Sequence, residues 1–294
     1  MSRLYEALLQ MEKQFRPAGP ATPEPAQAME FLNSFVKERI GPPAACSVKA
    51  EISATSRLVA LTDPRSLGAE KFRSLATRLE NLRVHRELKS LQVTSSTINE
   101  GKTLVAGNLA VTLAKYSGCK VLLVEGDLHR PMLASLFGLT QLRGLSHWWS
   151  GPDEDISRHV YRLNDMPLWF LNAGNTCDEP SQILQSARFA GAFNQLVSTF
   201  GWIIVDSTPM APTVVANLWS RLVDGMLLVV REGVAPVKTL KKGLEALDNA
   251  KLVGIVLNET SDFDGLISVQ HYYRALQEQA RNSWREKNKL GVVI

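Results

Sequence analysis

The chain is short of several things, and each shortage narrows what it can be. It has three cysteines in 294 residues. Cys46, Cys119 and Cys177 are spaced for neither a zinc site nor a disulfide framework, so a reducing compartment is expected. No apolar run approaches the roughly 20 residues of a membrane span. The opening "MSRLYEALLQMEKQF" lacks the continuous apolar core of a signal peptide, and a cytoplasmic protein is the expectation. Charge of one sign is also scarce. The net charge is +4, and the basic residues are scattered without a long Lys/Arg run, which argues against nucleic acid as a partner. Internal repeats are absent. What remains is ordinary globular composition, 45% hydrophobic and 21% charged, enough for one large domain with appendages.

Three regions differ in pattern. In residues 1–55, Leu4, Leu8, Met11 and Phe15 share one stripe, which predicts an amphipathic helix over 2–15. It reads equally as an exposed docking element or as a helix packed back on the main domain. "RPAGPATPEPAQ" follows, with four prolines, a density that resists a packed core and reads as a linker. A second short helix is expected over 28–39, stopped by Pro42 and Pro43. Residues 56–260 are regular. Helical periods cover 66–85, 102–116, 213–222 and 236–249, with helical segments also between 175 and 199. "LKSLQVT", "KVLLVEGD", "MPLWFLNAG", "GWIIVDSTP", "DGMLLVVRE" and "KLVGIVLNE" read as strands. Strands apolar almost throughout and alternating with helices imply an α/β fold, a doubly wound, mostly parallel sheet with helices on both faces. Right-handed crossovers then gather the strand C-termini, and the ligand, along one edge. Residues 261–294 are polar and read as a tail.

The chemistry concentrates at that edge. "SSTINEGKT" joins a strand to a helix and approximates the phosphate loop G-x-x-x-x-G-K-[ST], with Ser96 where the first glycine belongs. The sharpest parts survive. Gly101 lets backbone approach a phosphate, Lys102 reaches the β and γ phosphates, and Thr103 offers a hydroxyl to Mg²⁺. The helix that opens here adds free N–H groups and a positive dipole end. Thr97, Ile98, Asn99, Glu100, Gly101, Lys102, Thr103 and Leu104 form the candidate phosphate-binding set. Two further strands end in acids, Glu125 with Asp127, and Asp206. Such acids at the ligand edge hold Mg²⁺ in folds of this kind. A nucleotide-binding P-loop NTPase fold follows from the three sites together, with ATP and Mg²⁺ expected.

These residues resemble the bacterial tyrosine kinases of capsule and exopolysaccharide synthesis. The likeness runs from about residue 66 to 258. It rests on the variant loop, on "EGDLHRP" as the second acidic motif, on "IIVDSTP" as the Walker B strand, and on "GLSHWWSG" and "NAGNTCDEPSQIL". The opening segment is similar to the exosortase-linked subgroup. The resemblance implies transfer of the γ-phosphoryl of MgATP to tyrosines in a neighbouring subunit's tail, here Tyr272 and Tyr273. It implies a catalytic group of Lys102, Glu125, Asp127 and Asp206, with Thr103, Asp127 and Asp206 on the metal and Asp127 polarising the tyrosine hydroxyl. It implies a homo-oligomer built through the helix carrying Glu70 and Arg73. A membrane polysaccharide co-polymerase is the implied activator, which would bring the protein to the inner membrane.

The chain departs from that family at definite positions. Glu125 replaces an aspartate, and Gly126 beside it is expected to leave room for the longer side chain. His129 replaces an arginine, and the adjacent Arg130 is the residue expected to bind the nucleotide in its place. Ala76 replaces the third residue of the ring motif, so an arginine restored there is expected to tighten assembly. Val215 stands where an aspartate is common. A weakened kinase or a non-catalytic regulatory ATPase of an export complex is the alternative these departures raise. A positioning ATPase of the MinD/ParA type shares the fold and the acids, but its signature lysine position is Thr97 here. The glycine spacing of "STINEG" argues against a hydride-transferring Rossmann enzyme.

Overall fold

A computed structural model describes residues 46–152, 155–164, 166–210, 214–234, 239 and 251–259. The helices expected over 2–15 and 28–39, the linker between them, the tail with Tyr272 and Tyr273, and nearly all of the helix expected over 236–249 lie outside those residues.

One eight-stranded sheet organises the described chain. Its strands are β1 (Ser47–Val48), β2 (Ser90–Ser95), β3 (Val121–Glu125), β4 (Val160–Leu163), β5 (Leu168–Leu171), β6 (Trp202–Asp206), β7 (Gly225–Arg231) and β8 (Leu252–Asn258). They lie in the order β1-β4-β5-β3-β6-β2-β7-β8. Every pairing is parallel except β4 with β5, which is antiparallel. The helices are α1 (Val59–Thr62), α2 (Leu67–His85), α3 (Lys102–Tyr116), α4 (Leu133–Leu136), α5 (Leu145–Ser150), α6 (Pro180–Gln185), α7 (Ala187–Thr199) and α8 (Val215–Leu222). Among the described residues no helix is long and apolar enough to cross a membrane.

The alternation of side chains along each strand builds two cores. Leu91, Val93, Val121, Leu123, Trp202 and Ile204 face one side, where α2 and α3 pack. Leu122, Val124, Ile203 and Val205 face the other, under α7 and α8. At roughly 1.5–3 kcal/mol for each large apolar side chain buried, this two-sided burial is what holds the central strands together. The helix ends follow local chemistry. Ser66 caps α2, its hydroxyl accepting the Ala69 N–H at 3.2 Å. α3 starts directly from the left-handed Gly101, φ 91°.

Several expectations are revised. The central strand β2 is not apolar on both faces. Gln92 and Thr94 are buried, donating to Ser207 Oγ at 2.8 Å and to the Thr208 carbonyl at 2.9 Å. β4 precedes β5 and reverses direction. Ala76 is buried on the core side of α2, 5% exposed. An arginine there would enter the core rather than reach a neighbour, so the expected gain in assembly is withdrawn. Val215 is likewise buried. Gly126 offers no room for its neighbour. A Cβ on it would lie 2.7 Å from Val205 Cγ1 and 2.8 Å from the Asp206 carbonyl.

Candidate nucleotide and phosphoryl-transfer site

The ends of β2, β3 and β6 lie side by side because β6 pairs with both neighbours. Its last residue, Asp206, is in register with Val93 on β2 and with Glu125 on β3. Gly126 then lets the chain close against β6. Its N–H donates to the Asp206 carbonyl at 2.7 Å, and its own carbonyl accepts from Trp219 Nε1 at 3.0 Å. That tight join sets Asp127 beside Asp206.

Lys102, the first residue of α3, reaches into this corner. Its Nζ is 3.4 Å from Asp127 Oδ2 and 3.8 Å from Asp206 Oδ1, and it donates to Thr103 Oγ1 at 3.2 Å. Burial works to lower the ammonium pKa, but the charges of Asp206 and Asp127 outweigh it and the net shift is upward. Lys102 is therefore a held cation. Burial raises the Asp206 carboxyl to about 6, and Lys102 opposes the rise. Asp206 is fully buried, and no donor comes within hydrogen-bond distance of its carboxylate oxygens, although Lys102 and the Thr103 hydroxyl lie near enough to pull its pKa back down.

Glu125 behaves differently. It too is fully buried, but its carboxylate is occupied. Oε2 accepts the Leu133 N–H at 2.7 Å and the Ala134 N–H at 3.3 Å, and Oε1 accepts the Met132 N–H at 3.2 Å. Burial and the Asp206 charge push its pKa up to about 8, against those three bonds. The extra methylene that distinguishes it from aspartate carries the carboxylate to the start of α4.

The loop residues separate into two groups. Ile98 and Asn99 are exposed, and Thr97, Gly101, Lys102, Thr103 and Leu104 are partly so. Glu100 is completely buried, with its carboxylate turned into the loop. His129 and Arg130 are exposed, and the Arg130 N–H donates to Asp127 Oδ1 at 3.0 Å. Glu70 and Arg73, on α2, are bound to each other, with Arg73 Nε 2.9 Å from Glu70 Oε2. Three residues beside the loop escaped sequence reasoning. Arg231 and Glu259, at or just past strand ends, form an ion pair at 2.5 Å that also takes in Arg57. Asn258 Nδ2 donates to the Glu100 carbonyl at 2.9 Å. Their place at the ends of β7 and β8 was the available signal.

The corner suits a divalent cation bound with a phosphate. Asp127 and Asp206 stand against one lysine, and both buried oxygens of Asp206 lack a donor within hydrogen-bond distance. Among the described residues no group of three or more His, Cys, Asp and Glu side chains is arranged to hold a metal alone.

No family model matches the chain. Individual proteins do. CapB of Staphylococcus aureus is 31% identical over 228 residues, 75% of this chain and 96% of its own. The tyrosine-protein kinase YwqD of Bacillus subtilis is 30% identical over 203 residues, 68% of this chain and 85% of its own. Among solved structures, the chimerical protein CapA2B2 aligns with a TM-score of 0.64 at 27% identity, covering 78% of this chain and 99% of its own.

Proposed function

The chain belongs to the bacterial tyrosine kinases of capsule and exopolysaccharide synthesis, and on that footing we propose how its own residues carry the reaction. The observation that bears most weight is Lys102, held between Asp127 and Asp206 at the join of strand and helix. The loop amides and the α3 N-terminus bind the phosphates of ATP, with Lys102 on the β and γ groups. Mg²⁺, when bound, would neutralise charge on those phosphates, and Thr103, Asp127 and Asp206 are the residues that would hold it. The acceptor tyrosine oxygen attacks the γ-phosphorus, the bond to the ADP oxygen breaks, and Asp127 accepts the tyrosine proton. Almost all of the rate comes from positioning and charge. Glu125 takes no part in binding the metal; it holds the segment after Asp127.

Tyr272 and Tyr273 are the proposed acceptors, presented by a second copy of the chain. Glu70 and Arg73 are proposed to contribute to that self-association, weakly, since Ala76 adds nothing to it. The partner proposed is a membrane polysaccharide co-polymerase, and it would bring the kinase to the inner membrane. The likeness to the chimerical protein CapA2B2 supports it. Titration of wild type and Lys102→Ala with MgATP by calorimetry, followed by mass spectrometry of the tail, tests the reading. Binding and tail phosphorylation should both be lost in the variant. Equal affinity and equal modification would sink it.

A further inference from the structure

The phosphate loop manages with a single glycine, and its geometry indicates what does the work instead. The backbone turns through the left-handed region at Asn99, φ 64°, and at Gly101, φ 91°. Gly101 is confined as well as left-handed, since a Cβ there would lie 2.1 Å from Asn258 Nδ2. Between these two residues sits Glu100, with no exposed surface. A carboxylate taken wholly out of water is costly unless donors replace the solvent. Here they do. Oε2 accepts the Ser96 hydroxyl at 2.7 Å and the Thr97 N–H at 2.7 Å. Oε1 accepts the Arg231 N–H, at the last residue of β7, at 3.3 Å. The Glu100 carbonyl accepts Asn258 Nδ2 from the end of β8, and Arg231 Nη1 reaches the Asn99 carbonyl at 3.4 Å.

We infer that Glu100 is a positioning residue for nucleotide binding, whose buried carboxylate clamps the start of the phosphate loop to the end of β7. Ser96, which stands where the motif has its first glycine, is one of the groups it clamps. A glycine-rich loop reaches its curvature through backbone freedom; this one is held there by a side chain. The loop is then shaped before the nucleotide arrives, and the nucleotide does not bear the cost of ordering it. The inference rests on the reading of this loop as a phosphate cradle. It differs from a role on the metal or in proton transfer, because the carboxylate touches the loop and β7 alone.

The test uses the full chain with MgADP as the probe. By calorimetry, Glu100→Ala should weaken MgADP about tenfold or more, the scale of a lost hydrogen bond to a charged group. Glu100→Gln keeps an acceptor oxygen and should fall between it and wild type. Ser96→Ala should lose less. The double variant Ser96→Ala/Glu100→Ala should be no weaker than Glu100→Ala, because the two groups act as one contact. In turnover, KM for ATP should rise more than kcat falls, and the Mg²⁺ concentration for half-maximal activity should stay put. Hydrogen exchange at the Thr97 amide, slow in nucleotide-free wild type, should become fast in Glu100→Ala and remain so in the folded protein. Wild-type affinity together with a protected Thr97 amide in Glu100→Ala would overturn the clamp, as would strict additivity in the double variant. Failure of wild type itself to bind MgADP would overturn the phosphate-cradle reading, and the clamp as a device for nucleotide binding with it. If Glu100→Ala does not fold, the Ser96→Ala and Glu100→Gln pair decides by the same comparison.

Discussion

Two pairs of acids lie within one edge of the sheet, and they are held in opposite ways. Glu100 and Glu125 are buried with their carboxylates saturated by hydroxyl and backbone N–H donors. Asp127 and Asp206 face Lys102 instead, and the two oxygens of Asp206 have no hydrogen-bond donor. Asp127 also accepts the Arg130 N–H, so within this pair it is Asp206 that is left without a hydrogen bond, at a cost that burial makes real. A bound cation and phosphate would recover that cost. The glutamates hold the chain in place, and the aspartates face Lys102, where the proposed chemistry needs them.

Four substitutions or conditions would break or sharpen this contrast. The largest effect is expected for Asp206→Asn. It removes a charge aimed at the metal and phosphates, and tail phosphorylation should fall by about 10²–10³ or more, with folding intact by circular dichroism. Next comes Ala76→Arg. It sits outside both pairs but tests whether α2 faces the core as described. Overpacking a buried site should cost about 3 kcal/mol, visible as a lower urea midpoint, without new oligomers in light scattering. Third is Glu125→Asp. The shorter side chain falls short of the amides of Met132, Leu133 and Ala134. The thermal midpoint should drop by several degrees for about 1–2 kcal/mol lost, and turnover should slow because Asp127 is less well placed. A faster variant would mean that the glutamate is a decayed ligand.

The smallest effect is a pH dependence. Glu125 titrates at about 8 in the folded protein, above the ordinary 4.5. The folded state therefore holds that proton more tightly than the unfolded chain. Its contribution to stability is full below the unfolded value and is lost as pH rises from about 4.5 through about 8. Asp206, raised to about 6, adds a loss of the same sign in the lower part of that window. The thermal midpoint of nucleotide-free protein should decline between about pH 6 and about pH 8.5, and less so with MgADP bound. A rising midpoint in that window would count against a crowded acidic corner.

Much of this was readable beforehand because it depends on local pattern. The period of 66–85 foretold α2, and Gly101-Lys102-Thr103 foretold the start of α3 to the residue. Acids at the ends of apolar strands foretold the corner. What escaped depends on contacts distant in sequence. Nothing in "NEGKT" says that Glu100 turns inward to meet Arg231, or that Asn258 closes on Gly101. The antiparallel turn of β4 is set by its neighbour β5, and four residues carry too little period to announce it. Ala76 was misread because a motif position was taken for an exposed one, whereas helix phase places it against the core.

The division between holding acids and working acids is tested most directly by one titration. Tail phosphorylation is measured against Mg²⁺ concentration for wild type, Glu125→Gln and Asp206→Asn, with the melting temperature of each taken in parallel. The account predicts that Glu125→Gln melts lower and turns over more slowly while its half-saturating Mg²⁺ is unchanged. It predicts that Asp206→Asn melts no lower than wild type and needs far more Mg²⁺, or stays inactive at any concentration. A Glu125→Gln protein that melts like wild type but demands more Mg²⁺ would contradict it, because Glu125 would then be a metal ligand.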